Sequence, residues 1–334
     1  MKYIKIIMIT LLVFGLLYLG FRGISIDEAI QALKNASIWA IIIFFFASIL
    51  QFFIRAYRWG LLLRPYKKRI PLMTLYNFTV IGYVLNFIPG KVGEFAKAFL
   101  LAKEEGIEKG IGMGSVFLER IIDILSIILI FLVSLILIPD LNSPFFISLQ
   151  SNAIWFLGVI CFIFLILVLL NYSFFFNLAE KIIRLVCKMV PRKFRETMTG
   201  FLINFTKGIR LRLGLLDSIK LILASILVWV FLIPFYWIML KGFHIDITLA
   251  ETTAHISLLV ASAAIPTPGM AGTFEAGSIL SLKEILGNAI EAKAMAYTII
   301  LHLVILLSQI VTGFIAFKMQ GLNLSILEKV RKEK

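Results

Sequence analysis

Long apolar runs separated by short polar connections make up most of the chain. Two of them, Leu72–Ile88 and Leu249–Ile265, run into Pro-Gly breaks, and the segments that follow, Val92–Lys103 and Ala271–Leu286, are too short to cross a bilayer. The remaining runs approach or exceed the roughly 20 residues that a crossing helix needs. They are Ile4–Phe21, Ile38–Leu63, Ile111–Ile138, Ile147–Leu170, Ile219–Leu240 and Ala294–Phe317. The pattern predicts six full spans and two helical hairpins.

Composition agrees with this pattern and excludes other classes. Hydrophobic residues make up 60% of the 334-residue chain and charged residues 16%, against about 25% charged in soluble domains. A soluble enzyme, a disordered chain and a fibrous repeat are excluded, which leaves an all-α integral membrane protein. Cys161 and Cys187 lie in dissimilar segments and no metal-ligand spacing occurs, so we expect no disulfide, metal or cofactor.

The basic residues, which give a net charge of +14, predict the topology. They concentrate after the second span, in the segment 171–215, and after the last span, and the positive-inside rule makes all three cytoplasmic. Both termini are then cytoplasmic, in a cell (plasma) membrane. The first run is interpreted as a retained helix because no small-residue cleavage site follows it. Segment 171–215 is predicted to contain an amphipathic helix on the inner leaflet. The expected partner of its basic residues is therefore anionic lipid rather than nucleic acid.

With this topology, the number of membrane crossings between the loops predicts that the segments 72–103 and 249–286 are re-entrant hairpins, which enter from opposite sides. The whole chain, 1–334, is then a single polytopic membrane domain with halves of about 1–140 and 147–320. The halves share a motif, P-G-x-x-G-x-F, at Pro89–Phe95 and at Pro268–Phe274. Interrupted helices at matching places in two halves are typical of inverted-topology transporters and indicate a central site.

The breaks free backbone groups that lipid cannot satisfy, so each must be buried or line a wet cavity. The start of the helix after Gly269 would offer N–H groups to an anion such as phosphate. The alternative is that both breaks are only tight turns whose glycines allow close packing.

Charged residues within the apolar segments supply the candidate site, since an intramembrane charge usually serves a function. Glu119, Arg120 and Asp123 share one helix face, with Arg120 expected to pair with Asp123; a structural ion cluster is the alternative. Lys91 and Lys97 could instead extend to the interface, and Arg55 and Arg58 are expected to meet lipid phosphates. The candidate substrate-binding residues are Gly90, Lys91, Gly93, Glu94, Lys97, Glu119, Arg120, Asp123, Pro268, Gly269, Gly272, Glu275 and His302.

Three motifs in order resemble the transmembrane region of the lysylphosphatidylglycerol synthase family, also described as flippase-like membrane proteins. They are Pro89-Gly90 with Gly93-Glu94, then Glu119-Arg120-Ile121-Ile122-Asp123, then the stretch Pro266–Glu275. The resemblance covers nearly the whole chain. It implies an eight-helix-type flippase domain that moves polar-headed lipids between leaflets.

The chain departs from the family pattern in three places. The soluble aminoacyltransferase domain that follows in the best-known members is absent before Lys334, so we expect no lipid aminoacylation and no enzyme activity. Lys97 stands where the family often has Arg, which removes bidentate phosphate geometry. Met270-Ala271 stands where a further Gly is common.

The leading hypothesis is a lipid translocase whose partners are anionic or polar-headed phospholipids or glycolipids. In it, Lys91, Lys97 and the helix start after Gly269 hold phosphate, while Glu94, Glu119 and Glu275 hold a cationic headgroup or bind protons. Two alternatives remain open: an ion-coupled small-solute transporter, and an accessory subunit of cell-envelope glycolipid synthesis. A homo-oligomer or a separate lipid-modifying enzyme is a possible partner.

Overall fold

The computed structural model describes residues 15, 25–87, 92–138, 144–152, 155–156, 158–159, 162, 173–265 and 267–321, and within these ranges every regular element is helical. The α-helices, numbered in chain order, are α1 Ile26–Lys34, α2 Ile38–Leu63, α3 Leu72–Leu85, α4 Val92–Glu105, α5 Lys109–Leu137, α6 Pro144–Ser151, α7 Ser173–Cys187, α8 Arg192–Ile209, α9 Leu215–Val230, α10 Ile233–Gly242, α11 Leu249–Ala263, α12 Thr273–Leu286 and α13 Glu291–Met319.

Four helical stretches are long and apolar enough to cross a bilayer: α2, α5, Leu215–Gly242 (α9 with α10) and Asn288–Met319, which contains α13. They coincide with four of the six predicted spans. Their outward faces carry exposed large apolar residues, among them Phe46, Leu223 and Phe314, as expected of surfaces that meet lipid. The predicted span Ile4–Phe21 lies outside the described residues except for residue 15, and Ile147–Leu170 lies largely outside them.

Each predicted hairpin contains two helices that contact each other, α3 with α4 and α11 with α12. In the first pair the backbones nearly touch, since a Cβ on Gly93 would lie 1.8 Å from the Gly82 carbonyl oxygen. In the second pair a Cβ on Gly277 would lie 1.8 Å from Ser262 Oγ. Helix α4 has 14 residues and is therefore about 21 Å long, short of the roughly 30 Å hydrocarbon core. Re-entry from opposite sides remains a prediction.

The two halves pack reciprocally. Hairpin helix α3 lies against α13, the long helix of the second half, and hairpin helix α11 lies against α5, the long helix of the first half. Helix α2 contacts α3, α10 and α13. Each hairpin is therefore held by a long helix from the other half, which brings the two breaks toward one region.

Helix α8 of the basic central segment packs closely on α5 at two glycines of α5. A Cβ on Gly114 would lie 2.2 Å from the Phe205 carbonyl oxygen, and one on Gly110 would lie 2.5 Å from the Phe201 carbonyl oxygen. Small residues at i and i+4 on α5 thus allow α8 to approach closely. Cys187, at the end of α7, is a buried free thiol.

Candidate functional site

A buried ion cluster joins α2 to α5. Glu119 and Asp123 are four residues apart on α5 and so face the same neighbour. The Arg58 guanidinium on α2 bridges them, with Nη1 2.6 Å from Asp123 Oδ1 and Nη2 3.1 Å from Glu119 Oε1. Arg58 has no exposed surface and Arg55, 3.4 Å from Asp123 Oδ2, is also buried. The expectation that these two arginines meet lipid phosphates is wrong, because the carboxylates of α5 draw them inward.

Lys97 completes the cluster from α4. Its Nζ lies 2.6 Å from Glu119 Oε2 and 4.6 Å from the centre of the Trp59 ring. Only 2% of the residue is exposed. The alternative that Lys97 extends to the interface is therefore wrong, and its charge is committed to Glu119.

Arg120 connects this cluster to open space. Its Nη2 lies 3.3 Å from Asp123 Oδ2, which confirms the predicted pair, and 3.2 Å from Glu119 Oε1. Its Nη1 lies 3.7 Å from Glu94 Oε1 on α4. The Arg120 side chain is 34% exposed, whereas that of Glu119 is 1% exposed. Arg120 is the member of the cluster that a ligand reaches best.

A cavity of about 120 Å³ lies between the two breaks, and both hairpins line it. Its charged wall comes from the first half, where Asn86 Nδ2 donates to Glu94 Oε1 over 3.4 Å beside Arg120. One water needs roughly 10–15 Å³, so the cavity has room for several. The lining residues are Tyr83, Asn86, Phe87, Glu94, Arg120, Ala263, Ile265, Thr267, Gly269, Met270 and Gln309.

Several buried atoms of this wall have no hydrogen-bond partner within the described part of the chain. They are Asn86 Oδ1, Glu94 Oε2 and Arg120 Nε. Buried polar atoms are nearly always paired with protein, water or ligand. These atoms have almost no exposed surface, so the wall contains both donors and acceptors that the described protein groups leave unpaired.

The second break has its own polar network. Gly269 and Met270 adopt positive φ angles of 57° and 63°, which bends the chain sharply before α12. The Gly272 N–H donates to Glu275 Oε2 over 2.7 Å. Glu275 therefore accepts from the helix start at which the sequence predicts a bound phosphate. Across from it, His302 Nδ1 lies 2.5 Å from Glu275 Oε1.

The structure divides the predicted residues into groups. Glu94, Arg120 and Gly269 line the cavity; Lys97, Glu119 and Asp123 are committed to the ion cluster behind it; Gly272, Glu275 and His302 form the network of the second break. Gly93 serves close packing within the first hairpin, and Pro268 begins the turn of the second break. Gly90 and Lys91 lie outside the described residues.

Sequence reasoning missed Arg58 as a cluster member and Tyr83 and Thr267 as cavity residues. A signal for Arg58 existed: two intramembrane carboxylates at i and i+4 require a cation, and a planar guanidinium bridges two carboxylates well. The cluster and its neighbour Glu94 hold four cationic groups against three carboxylates, a formal surplus of one positive charge. No group of three potential metal ligands occurs among the residues that the structure describes.

Several helices long and apolar enough to cross a bilayer, with two interrupted helix pairs between them, define a multi-pass helical membrane protein. The profile of the family described as "Lysylphosphatidylglycerol synthase TM region" matches residues 5–313. The chain belongs to this family.

Two proteins of Methanocaldococcus jannaschii are similar to the chain. UPF0104 membrane protein MJ1595 is 22% identical over 303 residues, with 88% of each chain covered. UPF0104 membrane protein MJ1078 is 27% identical over 258 residues, covering 75% of this chain and 99% of the relative. No solved structure matches the chain.

Proposed function

We propose that this protein moves lipids with a phosphate-bearing headgroup between the leaflets of the membrane. The headgroup occupies the cavity between the two breaks, and the acyl chains stay in the bilayer outside it. This function agrees with the flippase-like role that the family resemblance implies.

One observation carries the proposal: charged and apolar side chains line the same cavity. Arg120 and Glu94 come from the first half, while Ile265, which is 50% exposed, comes from the second hairpin. We infer that Ile265 faces lipid, so that the cavity opens to the bilayer on that side. A headgroup can enter sideways while its chains remain in hydrocarbon, which a cavity for a free solute does not need.

Arg120 is the proposed headgroup ligand. Its side chain is the most exposed of the cluster and lines the cavity. A guanidinium suits phosphate because it offers several donors in one plane. This assignment replaces the expected phosphate roles of Lys97 and of the helix start after Gly269, whose groups are already paired.

Lipid movement is tested in vesicles that contain the purified protein and a fluorescent phosphatidylglycerol. Dithionite added outside bleaches the outer leaflet, and the further loss of fluorescence reports lipid that arrives from the inner leaflet. We expect faster loss in loaded than in empty vesicles. Equal rates would refute the proposal, and uptake of a soluble phosphate compound without lipid movement would favour a solute transporter.

Matched variants assign the site. Arg120→Gln removes a charged hydrogen-bond donor worth about 1.5–3 kcal/mol, so we expect the rate to fall about 10- to 100-fold. Arg184→Gln removes an exposed arginine that pairs with Glu180 on α7, and its rate should equal the wild-type rate. A full rate in correctly folded Arg120→Gln protein would contradict the assignment.

A further inference from the structure

His302 lies between two hydrogen-bond acceptors on the second break. Its Nδ1 is 2.5 Å from Glu275 Oε1, and its Nε2 is 2.8 Å from the carbonyl oxygen of Gly269. The Phe274 ring stacks on the imidazole at 4.4 Å between ring centres, and the Gly272 N–H holds the other oxygen of Glu275. The imidazole thus ties α13 to both sides of the break.

The two contacts of His302 fix the number of hydrogens that it shares with Glu275. A carbonyl oxygen only accepts, so Nε2 must carry a hydrogen. The contact between Nδ1 and Glu275 needs another hydrogen, either on Nδ1 or on the carboxyl group. The pair therefore holds one proton more than a neutral imidazole beside a carboxylate.

We propose that Glu275 and His302 together form a proton-binding site that couples a proton to the movement of the second break. The inference rests on the proposed lipid movement and names its coupling ion. When the proton leaves, lone pairs on Nδ1 and Oε1 face each other and one of the two contacts of His302 must break. Either Gly269, which lines the cavity, or Glu275 then loses its hydrogen bond to His302 on α13.

The charges around the cavity make proton and headgroup bind together. With its proton the pair is formally neutral, and without it the pair carries one negative charge. Arg120, Glu94 and Tyr83 face the same cavity from the first half; within the described residues, Glu275 is the charged group in contact with His302. An anionic headgroup beside Arg120 is therefore favoured when the pair is protonated, and by linkage the headgroup favours the proton equally.

The variant Glu275→Gln separates the effect of the extra proton from that of the hydrogen bonds. The Gln oxygen can accept from the Gly272 N–H while its amide nitrogen donates to Nδ1, and Nε2–H can still donate to Gly269. Every contact is satisfied by a neutral imidazole, so this variant keeps the tie without the extra proton. His244→Gln is the control, because His244 is exposed and lies far from the break in sequence.

The first readout is nitrogen NMR of the histidine-labelled full chain in lipid nanodiscs. The chain has three histidines, so His302 is assigned by variants. We expect the wild-type His302 signals to show the extra proton of the pair and to undergo one transition as this proton is lost on raising the pH, a transition that Glu275→Gln abolishes and His244→Gln retains. Signals of a neutral His302 that do not change as the pH is varied, or a transition that persists in Glu275→Gln, would overturn the inference.

The second readout is the pH dependence of lipid movement in the vesicle assay. One required proton makes the rate fall tenfold per pH unit above the transition, and Glu275→Gln should flatten this slope while His244→Gln keeps it. A wild-type rate independent of pH would refute the coupling and leave lipid movement standing. Absence of lipid movement at every pH would refute the proposed function, while the NMR transition would still report the proton site.

Discussion

Replacing Arg58 by Met tests the ion cluster most severely. Arg58 is fully buried and bridges Glu119 and Asp123 at 3.1 and 2.6 Å. Met fills part of the volume and leaves both carboxylates with one partner fewer. Removing one member of a buried ion pair costs about 3–5 kcal/mol. Because Lys97 and Arg55 remain near the carboxylates, we expect a value near the lower end of this range.

The assay is thermal unfolding of detergent-solubilised protein followed by tryptophan fluorescence. At about 2–4 °C per kcal/mol, a figure for soluble domains of 150–250 residues, a cost of about 3 kcal/mol should lower the midpoint by about 6–12 °C. The double variant Arg58→Met with Asp123→Asn should lose less than the two single variants together, since neighbouring charges are not additive. A midpoint for Arg58→Met within about 1 °C of the wild-type midpoint, far less than the expected shift, would refute the buried bridge.

The remaining predictions concern packing and capping, and each is measured as a shift in the same unfolding midpoint. Gly93→Ala places a Cβ 1.8 Å from the Gly82 carbonyl oxygen and should lower the free energy of unfolding by about 1–3 kcal/mol. Its control, Gly200→Ala, adds a Cβ that meets nothing within 4 Å and should not destabilise the protein. Equal effects of the two variants would contradict the close contact between α3 and α4. Thr248→Ala removes the capping box that Thr248 forms with Glu251 at the start of α11 and should cost about 1 kcal/mol; an unchanged midpoint would show that this cap does not contribute.

The helices were predictable because their cause is local. A run of about 20 apolar residues without a breaker, such as Ile38–Leu63, has few alternatives to a helix, and α2 has the same bounds. The hairpins were predictable because Pro and Gly interrupt the apolar runs at matching places. Gly110 and Gly114, at i and i+4 near the start of α5, are a local signal of close helix packing, but their spacing does not name α8 as the partner.

The site was less predictable because its contacts join distant parts of the chain. The i,i+3 pair of Arg120 and Asp123 depends on helix geometry alone and was predicted. Lys97 meets Glu119 from another helix, and its burial depends on how α4 packs on α5. Glu275 caps its own helix start, a local arrangement that the positive φ angles of the break make possible and that composition does not reveal.

The central claim is that the two hairpins meet around one cavity, and chemical cross-linking across it tests this directly. Cysteines replace Phe87 and Met270, which line the cavity from opposite hairpins, in a chain with Cys161→Ala and Cys187→Ala. The account predicts that a short bis-maleimide joins the two cysteines within one chain in membranes, a cross-link that neither single-cysteine variant forms. Failure of the pair to cross-link while both cysteines react with a small maleimide would contradict it.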